Sequence, residues 1–235
     1  MEPRAAEDKL VLPRWSKIAL GLFVAVIAAA MAFAIFEPIQ VLPRIRLAPG
    51  YAFADQTGET MTSEMARGHI TLYTFAPTEC GSDCDDIFTT MDDVGRRVDA
   101  EVDLGQVDFQ RITIALDADP TAEDLAAAED RSGADADSWR WIGGDDTAVR
   151  TVVGAGFGRF YEIDEKAPDG PIRFDPGFVL VDGAGVIRGE YRYQTLATDA
   201  DKLVHHVDIL AAEARNAHGA TAVAYEAAHL FLCYP

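Results

Sequence analysis

A chain of 235 residues that is 49% hydrophobic can form one cored domain plus attachments, and a net charge of −19 argues against nucleic acid and anionic lipid headgroups as partners. The charge is uneven. Residues 1–50 carry six basic side chains (Arg4, Lys9, Arg14, Lys17, Arg44, Arg46) and four acids (Glu2, Glu7, Asp8, Glu37), net +2, so the remainder carries −21. A surface that acidic suits a basic partner such as a small cytochrome, or is simply well solvated.

Ile18 to Phe36 holds 19 residues without a charge. As a helix it spans about 28 Å, enough for a bilayer core. Arg14 and Lys17 precede it and Glu37 follows. The positive-inside rule then predicts residues 1–17 in the cytoplasm, an anchor at 18–36 in an inner or plasma membrane, and an extracytoplasmic (periplasmic) domain. A signal peptide cut after Ala32-Phe33-Ala34 is the competing reading, although the apolar run is long for one. Residues 37–50, with three prolines, read as a linker.

The domain is expected over 51–216. Tyr51 to Thr60 reads as a short hairpin with Gly58 in the turn. His69–Phe75 is a core strand, Asp85 to about Val98 a helix on the pattern Ile87, Met91, Val94, Val98, and Phe109–Leu116 a second strand. Thr121–Arg131 is an acidic helix entered through Asp119-Pro120, Trp139–Ile142 a short extended stretch, and Asp145–Val153 a helix stopped by Gly154. Phe178–Val181 and Val186–Tyr193 form a hairpin around Asp182-Gly183-Ala184-Gly185. Asp199–Asn216 is a helix with the stripe Leu203, Val207, Leu210, Ala214. Residues 217–235 read as an extra apolar helix that needs something to pack against. The alternation predicts an α/β fold with a mixed central sheet flanked by helices.

Cys80-Gly81-Ser82-Asp83-Cys84 lies between the first core strand and its helix. Thiols four apart at a helix start share a face, with about 5–6 Å between Cβ atoms. Such a pair can hold a soft metal ion or close as a disulfide, and an exported domain lives where disulfides persist. Cys233 is a third, odd thiol. Asp117 and Asp119 read as a strand-closing, helix-capping loop rather than a cation site. His206 reads as a packing histidine, and His69, His205, His218 and His229 lack ligand spacing. No phosphate loop, nucleophilic serine setting or zinc spacing is visible.

The order of strand, Cys-x-x-x-Cys, helix and late hairpin resembles the Sco/SenC family over residues 45–215. Phe53-Ala-Asp-Gln-Thr-Gly58 is similar to its opening hairpin, and Tyr73 to Cys80 with Cys84 to its metal loop. Ile114 to Pro120 and Trp139 to Gly144 are similar to its acidic-loop strand and its tryptophan-to-glycine segment. The resemblance implies a thioredoxin-like fold, a membrane anchor, and copper handling in cytochrome c oxidase assembly, with Cys80 and Cys84 as metal ligands. The family's third ligand is a histidine eight residues before the hairpin turn. That position is Phe174 here, and no histidine occurs between His69 and His205. Asp85 replaces the usual proline after the second cysteine. Pro176, six residues before Asp182, stands where thioredoxin-like reductases carry a proline, commonly cis, facing their cysteines.

Two thiolates suit Cu(I), which accepts low coordination; Cu(II) loses more without the histidine. Three readings remain open. One is a Cu(I)-handling assembly factor. One is a thiol–disulfide oxidoreductase acting at Cys80 and Cys84. The last is an accessory subunit of cytochrome c oxidase or another respiratory complex, its pair kept as a structural disulfide.

Overall fold

The computed structural model describes residues 13–36, 39–135, 137–163, 172–192 and 200–231, without the side chains of 29, 30, 32–36, 83, 220 and 231. Two compact units divide the chain, residues 1–40 and 41–235. In the first, helix α1 runs Arg14–Phe36, where a run of Ala, Leu, Val and Ile favours helix and no proline interrupts it. Leu20, Leu22, Phe23, Val24 and Val26 are each more than half exposed. Among the described residues no helix is long and apolar enough to cross a membrane.

The second unit is built on an eight-stranded mixed sheet, in the order β1-β10-β9-β4-β5-β6-β2-β3. The strands are β1 (Arg46–Leu47), β2 (Ala52–Asp55), β3 (Thr60–Thr62), β4 (His69–Ala76), β5 (Asp108–Ala115), β6 (Trp139–Gly143), β9 (Gly177–Val181) and β10 (Val186–Arg192). A small hairpin of β7 (Tyr161–Ile163) and β8 (Ile172–Phe174) stands beside it. β4, β5 and β6 are parallel, while β9 runs antiparallel to β4. β4 is buried along nearly its whole length, as a strand covered on both faces must be. Its side chains alternate. Ile70, Leu72 and Ala76 face the cluster under α2 (Asp85–Glu101), α3 (Ala122–Ser132) and α5 (Ala200–Arg215), and Tyr73 and Phe75 face the other side with Phe157 and Val153.

Helix α2 forms where the sequence pattern places it, and buries Ile87, Met91, Val94 and Val98. At Gly95 the side chain of Arg111 passes under the helix; a Cβ there would stand 2.3 Å from Arg111 Cζ. Helix α3 starts on a capping box, in which Thr121 and Asp124 exchange hydrogen bonds, and stops at Gly133 with φ +70°. The hairpin turn at Asp182 closes through the Asp182 carboxylate, which accepts from Ala184 and Val186 N–H at 3.0 Å each.

Several expectations are revised. The linker expected to run to residue 50 joins the domain at Val41. Val41 and Leu42 are buried, and Arg46–Leu47 is a strand paired with β10. The helix expected over Asp145–Val153 is a single turn, α4 (Asp146–Val149), that widens into a π turn over Arg150–Gly156. There the Phe157 N–H reaches back to the Val152 carbonyl at 2.8 Å. Pro49 packs where a Gly156 Cβ would lie, so the end of that turn requires glycine. Pro176 is not cis, because no cis peptide bond occurs among the described residues. Asp175 N–H is bonded to the Phe160 carbonyl at 3.0 Å on one side of it, and Gly177 pairs with Arg192 of β10 on the other. The apolar tail is a helix, α6 (Gly219–Phe231), while Cys233 lies outside the described residues.

Candidate functional site

Strand β4 ends at Ala76, and the chain reaches Cys80 through Pro77, Thr78 and Glu79. This short segment is pinned from two sides. Thr78 N–H donates to the Asp117 carboxylate at 2.5 Å, and Arg131 of α3 donates to the Thr78 carbonyl at 2.5 Å. Asp117 thus closes a loop, as expected, but it does so on the cysteine segment rather than on α3. Asp119 sits at φ +53°, its N–H on the Gly144 carbonyl at 3.3 Å.

Cys80 and Cys84 form a disulfide, with Cα atoms 5.8 Å apart. A 3₁₀ turn over Ser82–Cys84 brings them together, and Cys84 N–H donates to the Gly81 carbonyl at 3.1 Å. Cys84 is the N-cap of α2 and is fully buried in the cluster beneath α2, α3 and α5. Cys80 is only partly buried at the edge of that cluster. The two sulfurs therefore differ in access, with Cys80 nearer solvent. Once the bridge opens, a thiolate at Cys84 would meet the positive end of α2, while exposed Asp85 and Asp86 in the first turn oppose it.

Two open clefts flank the loop. One, of about 470 Å³, is lined by Pro77, Thr78, Glu79, Asp117, Asp119 and Asp124. The other, also about 470 Å³, is lined by Asp85, Phe88, Thr89, Asp92, Arg131 and Ser132. Both are polar, and six of their carboxylates surround the segment that carries the pair.

Phe174, at the end of β8, packs against both core clusters, including the one that holds Cys84. Pro176 follows it in trans. Three of the histidines are engaged elsewhere. His206 Nδ1 lies 2.5 Å from the Tyr191 hydroxyl, and burial, aided by Lys202 and His205, lowers its pKa to about 4. His229 Nε2 lies 2.9 Å from Glu213, and His69 Nδ1 is 3.9 Å from Asp108. Among the described residues, no group of three or more His, Cys, Asp or Glu is arranged to hold a metal ion. Among the described residues, the sulfur pair that could meet a soft ion is that of Cys80 and Cys84.

One polar cluster escaped sequence reasoning. Arg188 of β10, almost fully buried, donates to Asp182 and Glu213 at 2.8 Å each and to the Leu42 carbonyl at 2.8 Å. Burial pushes the Glu213 pKa up, and Arg188 and then His229 more than reverse that, leaving it below the usual value. Arg44 binds Glu226 of α6 at 2.7 and 3.1 Å. Asp182 and Arg188 face each other across one hairpin, but Glu213 lies 25 residues beyond Arg188 and Glu226 lies 182 beyond Arg44, so no local sequence pattern marks those pairs.

The SCO1/SenC family model matches residues 41–211. No protein of curated function matches the chain. Among solved structures, BsSco, described as a member of the Sco family of cytochrome c oxidase assembly proteins with a disulfide switch, shares 19% identity at a TM-score of 0.61, over 73% of this chain and 97% of its own. ScoI of Arabidopsis thaliana with copper bound shares 15% at 0.58, over 69% and 96%. ScoI of Bradyrhizobium japonicum with copper bound shares 18% at 0.56, over 70% and 99%. At these identities the likeness is one of fold, and it establishes the mixed-sheet, thioredoxin-like architecture.

Proposed function

Since the chain belongs to the SCO1/SenC family, we propose that it handles copper for cytochrome c oxidase assembly, with Cys80 and Cys84 as a two-thiolate Cu(I) site whose availability is set by their disulfide. The observation that carries this reading is the pair itself. Two sulfurs within bonding reach at the start of α2, one buried and one near solvent, match what a soft monovalent ion accepts. Copper here is cargo, and Phe174 in the histidine position favours Cu(I) over Cu(II).

Loading requires reduction. A dithiol donor attacks Cys80, the more accessible sulfur, through one thiolate. The Cys80–Cys84 bond breaks, and Cys84 leaves as a thiolate at the α2 N-terminus. The donor's second thiolate then displaces Cys80, so the donor ends as a disulfide and this pair as a dithiol. Cu(I) binds both sulfurs as their remaining protons are released.

The same pair favours a second reading, in which Cys80 and Cys84, once reduced to the dithiol, pass two electrons to a disulfide of a partner protein and return to the bridge seen here. The remaining proposals follow from the sequence. α1 anchors the domain in the inner or plasma membrane, with residues 1–17 cytoplasmic and the domain outside. The net charge of −21 beyond residue 50 suits docking on a basic surface, whether of the oxidase or of a small cytochrome.

Titrating the reduced full-length chain in detergent with Cu(I) against a competing chelator tests the main reading. One equivalent should bind, and Cys80→Ser or Cys84→Ser should abolish it. Absence of binding, with reversible reduction of a dithiol-reactive partner instead, would transfer the assignment to the oxidoreductase reading.

A further inference from the structure

α6 differs in chemistry from the domain it packs on. Residues 217–235 contain no Lys or Arg and a single acid, Glu226, in a chain whose charge beyond residue 50 is −21. Arg44 holds that acid in a two-bond pair and lowers its pKa, so the helix presents almost no net charge. The inner side of α6 is accounted for, with Ala228 buried and His229 on Glu213. Its outer side is not. Val223 is 71% exposed and Leu230 78%, seven residues and two turns apart, with exposed Ala227 between them on the same face. Ile45 and Leu47, next to Arg44 in the chain, are exposed as well.

The position of Arg44 indicates what covers this ridge. Five residue steps separate Phe36, the end of α1, from Val41, the start of the domain, and a chain of that length spans at most about 18 Å. Arg44, three residues further on, is bonded to α6. A membrane that held α1 would therefore be kept close to the segment that α6 grips. Tethering of this kind raises the local concentration of a weak site to about the millimolar range, so a few aliphatic side chains suffice. The surrounding carboxylates would be repelled by anionic headgroups, while a neutral apolar ridge would not.

We propose that α6 is an interfacial helix, whose Val223–Ala227–Leu230 ridge rests on the headgroup boundary of a zwitterionic membrane. This rests on the proposal that α1 spans that membrane. The bilayer takes the ridge out of water, and the Arg44–Glu226 pair strengthens as its surroundings lose water.

The test uses the full-length chain reconstituted in phosphatidylcholine vesicles that contain a photoactivatable phosphatidylcholine, with lipid adducts mapped by mass spectrometry. Adducts are expected in α1 and in the peptide spanning Val223–Leu230, and not in α3. Val223→Asp combined with Leu230→Asp, both at exposed positions, should lower the α6 adduct at least tenfold and leave that of α1 unchanged. Adducts in α1 alone overturn the α6 assignment and leave the anchor standing. Adducts in neither overturn both. A ridge that crosslinks to a second copy of the chain instead of to lipid also overturns it.

Discussion

Reduction of the Cys80–Cys84 bridge should leave the domain folded, and the expected cost can be worked from the loop it closes. The cysteines are four apart, so the bridge constrains a loop of five residues. Chain entropy assigns a loop of that size about 2 kcal/mol, near the low end for disulfides. For a domain of this length each kcal/mol moves the melting midpoint by about 2–4 °C, so reduction should lower it by about 4–8 °C. The freed Cys84 thiol stays in apolar surroundings that a thiol tolerates well. Thermal unfolding of the full-length chain in detergent, followed by circular dichroism with and without a dithiol, measures the shift. Under reducing conditions Cys80→Ser should melt with the reduced wild type, because its hydroxyl stands near solvent. Cys84→Ser should be lower by about 1–3 kcal/mol, because it buries a hydroxyl. A drop beyond about 15 °C, or loss of cooperative unfolding, would refute the reasoning. The pair would then be a structural staple, since a site that empties and refills cannot unfold its domain at each cycle.

Other consequences can be checked alongside. Arg188→Met strands the Asp182 and Glu213 carboxylates and should cost about 3 kcal/mol at pH 7, seen as a midpoint lower by about 6–12 °C. Glu213 is held below its usual pKa, so its contribution is complete above that value and lost as pH falls through it. The gap between Arg188→Met and wild type should therefore narrow below about pH 4.5. His206, lowered to about 4, resists a proton that the unfolded chain accepts near 6.5, so stability should fall with pH between those values; His206→Gln should flatten that limb in an acid titration of the melting midpoint. Gly95→Ala drives a Cβ into Arg111 and should destabilise by about 1–3 kcal/mol in denaturant unfolding, whereas Gly154→Ala, with open space around it, should be near neutral. Phe174→His should restore a nitrogen donor and raise copper affinity about tenfold or more, with the larger gain for Cu(II) measured by electron paramagnetic resonance; an unchanged Cu(II) signal would show that β8 does not face the sulfurs.

Much of this molecule can be read along the chain, because the signals are local. The 3.6-residue stripe of α2, the continuous apolar run of β4 and the Asp-Gly-Ala-Gly turn each depend on residues within one or two turns of each other. They placed the strand, cysteine pair and helix that make the site. The basic N-terminus and the acidic remainder are likewise composition alone.

Folding decided what depends on distant residues. Spacing left Cys80 and Cys84 open between thiols and a bridge, and the pinning of Thr78 by Asp117 and Arg131 accompanies the bridged geometry. Pro176 is trans, a state that the position of a proline before a strand does not by itself specify. Residues 41–47 become part of the sheet because Arg188, more than 140 positions later, takes the carbonyls of Leu42 and Pro43. An ion pair or a backbone bond between distant segments leaves no periodic trace in sequence, since either partner alone looks like an ordinary surface residue. Only when the sheet brings them together does burial make the pairing obligatory.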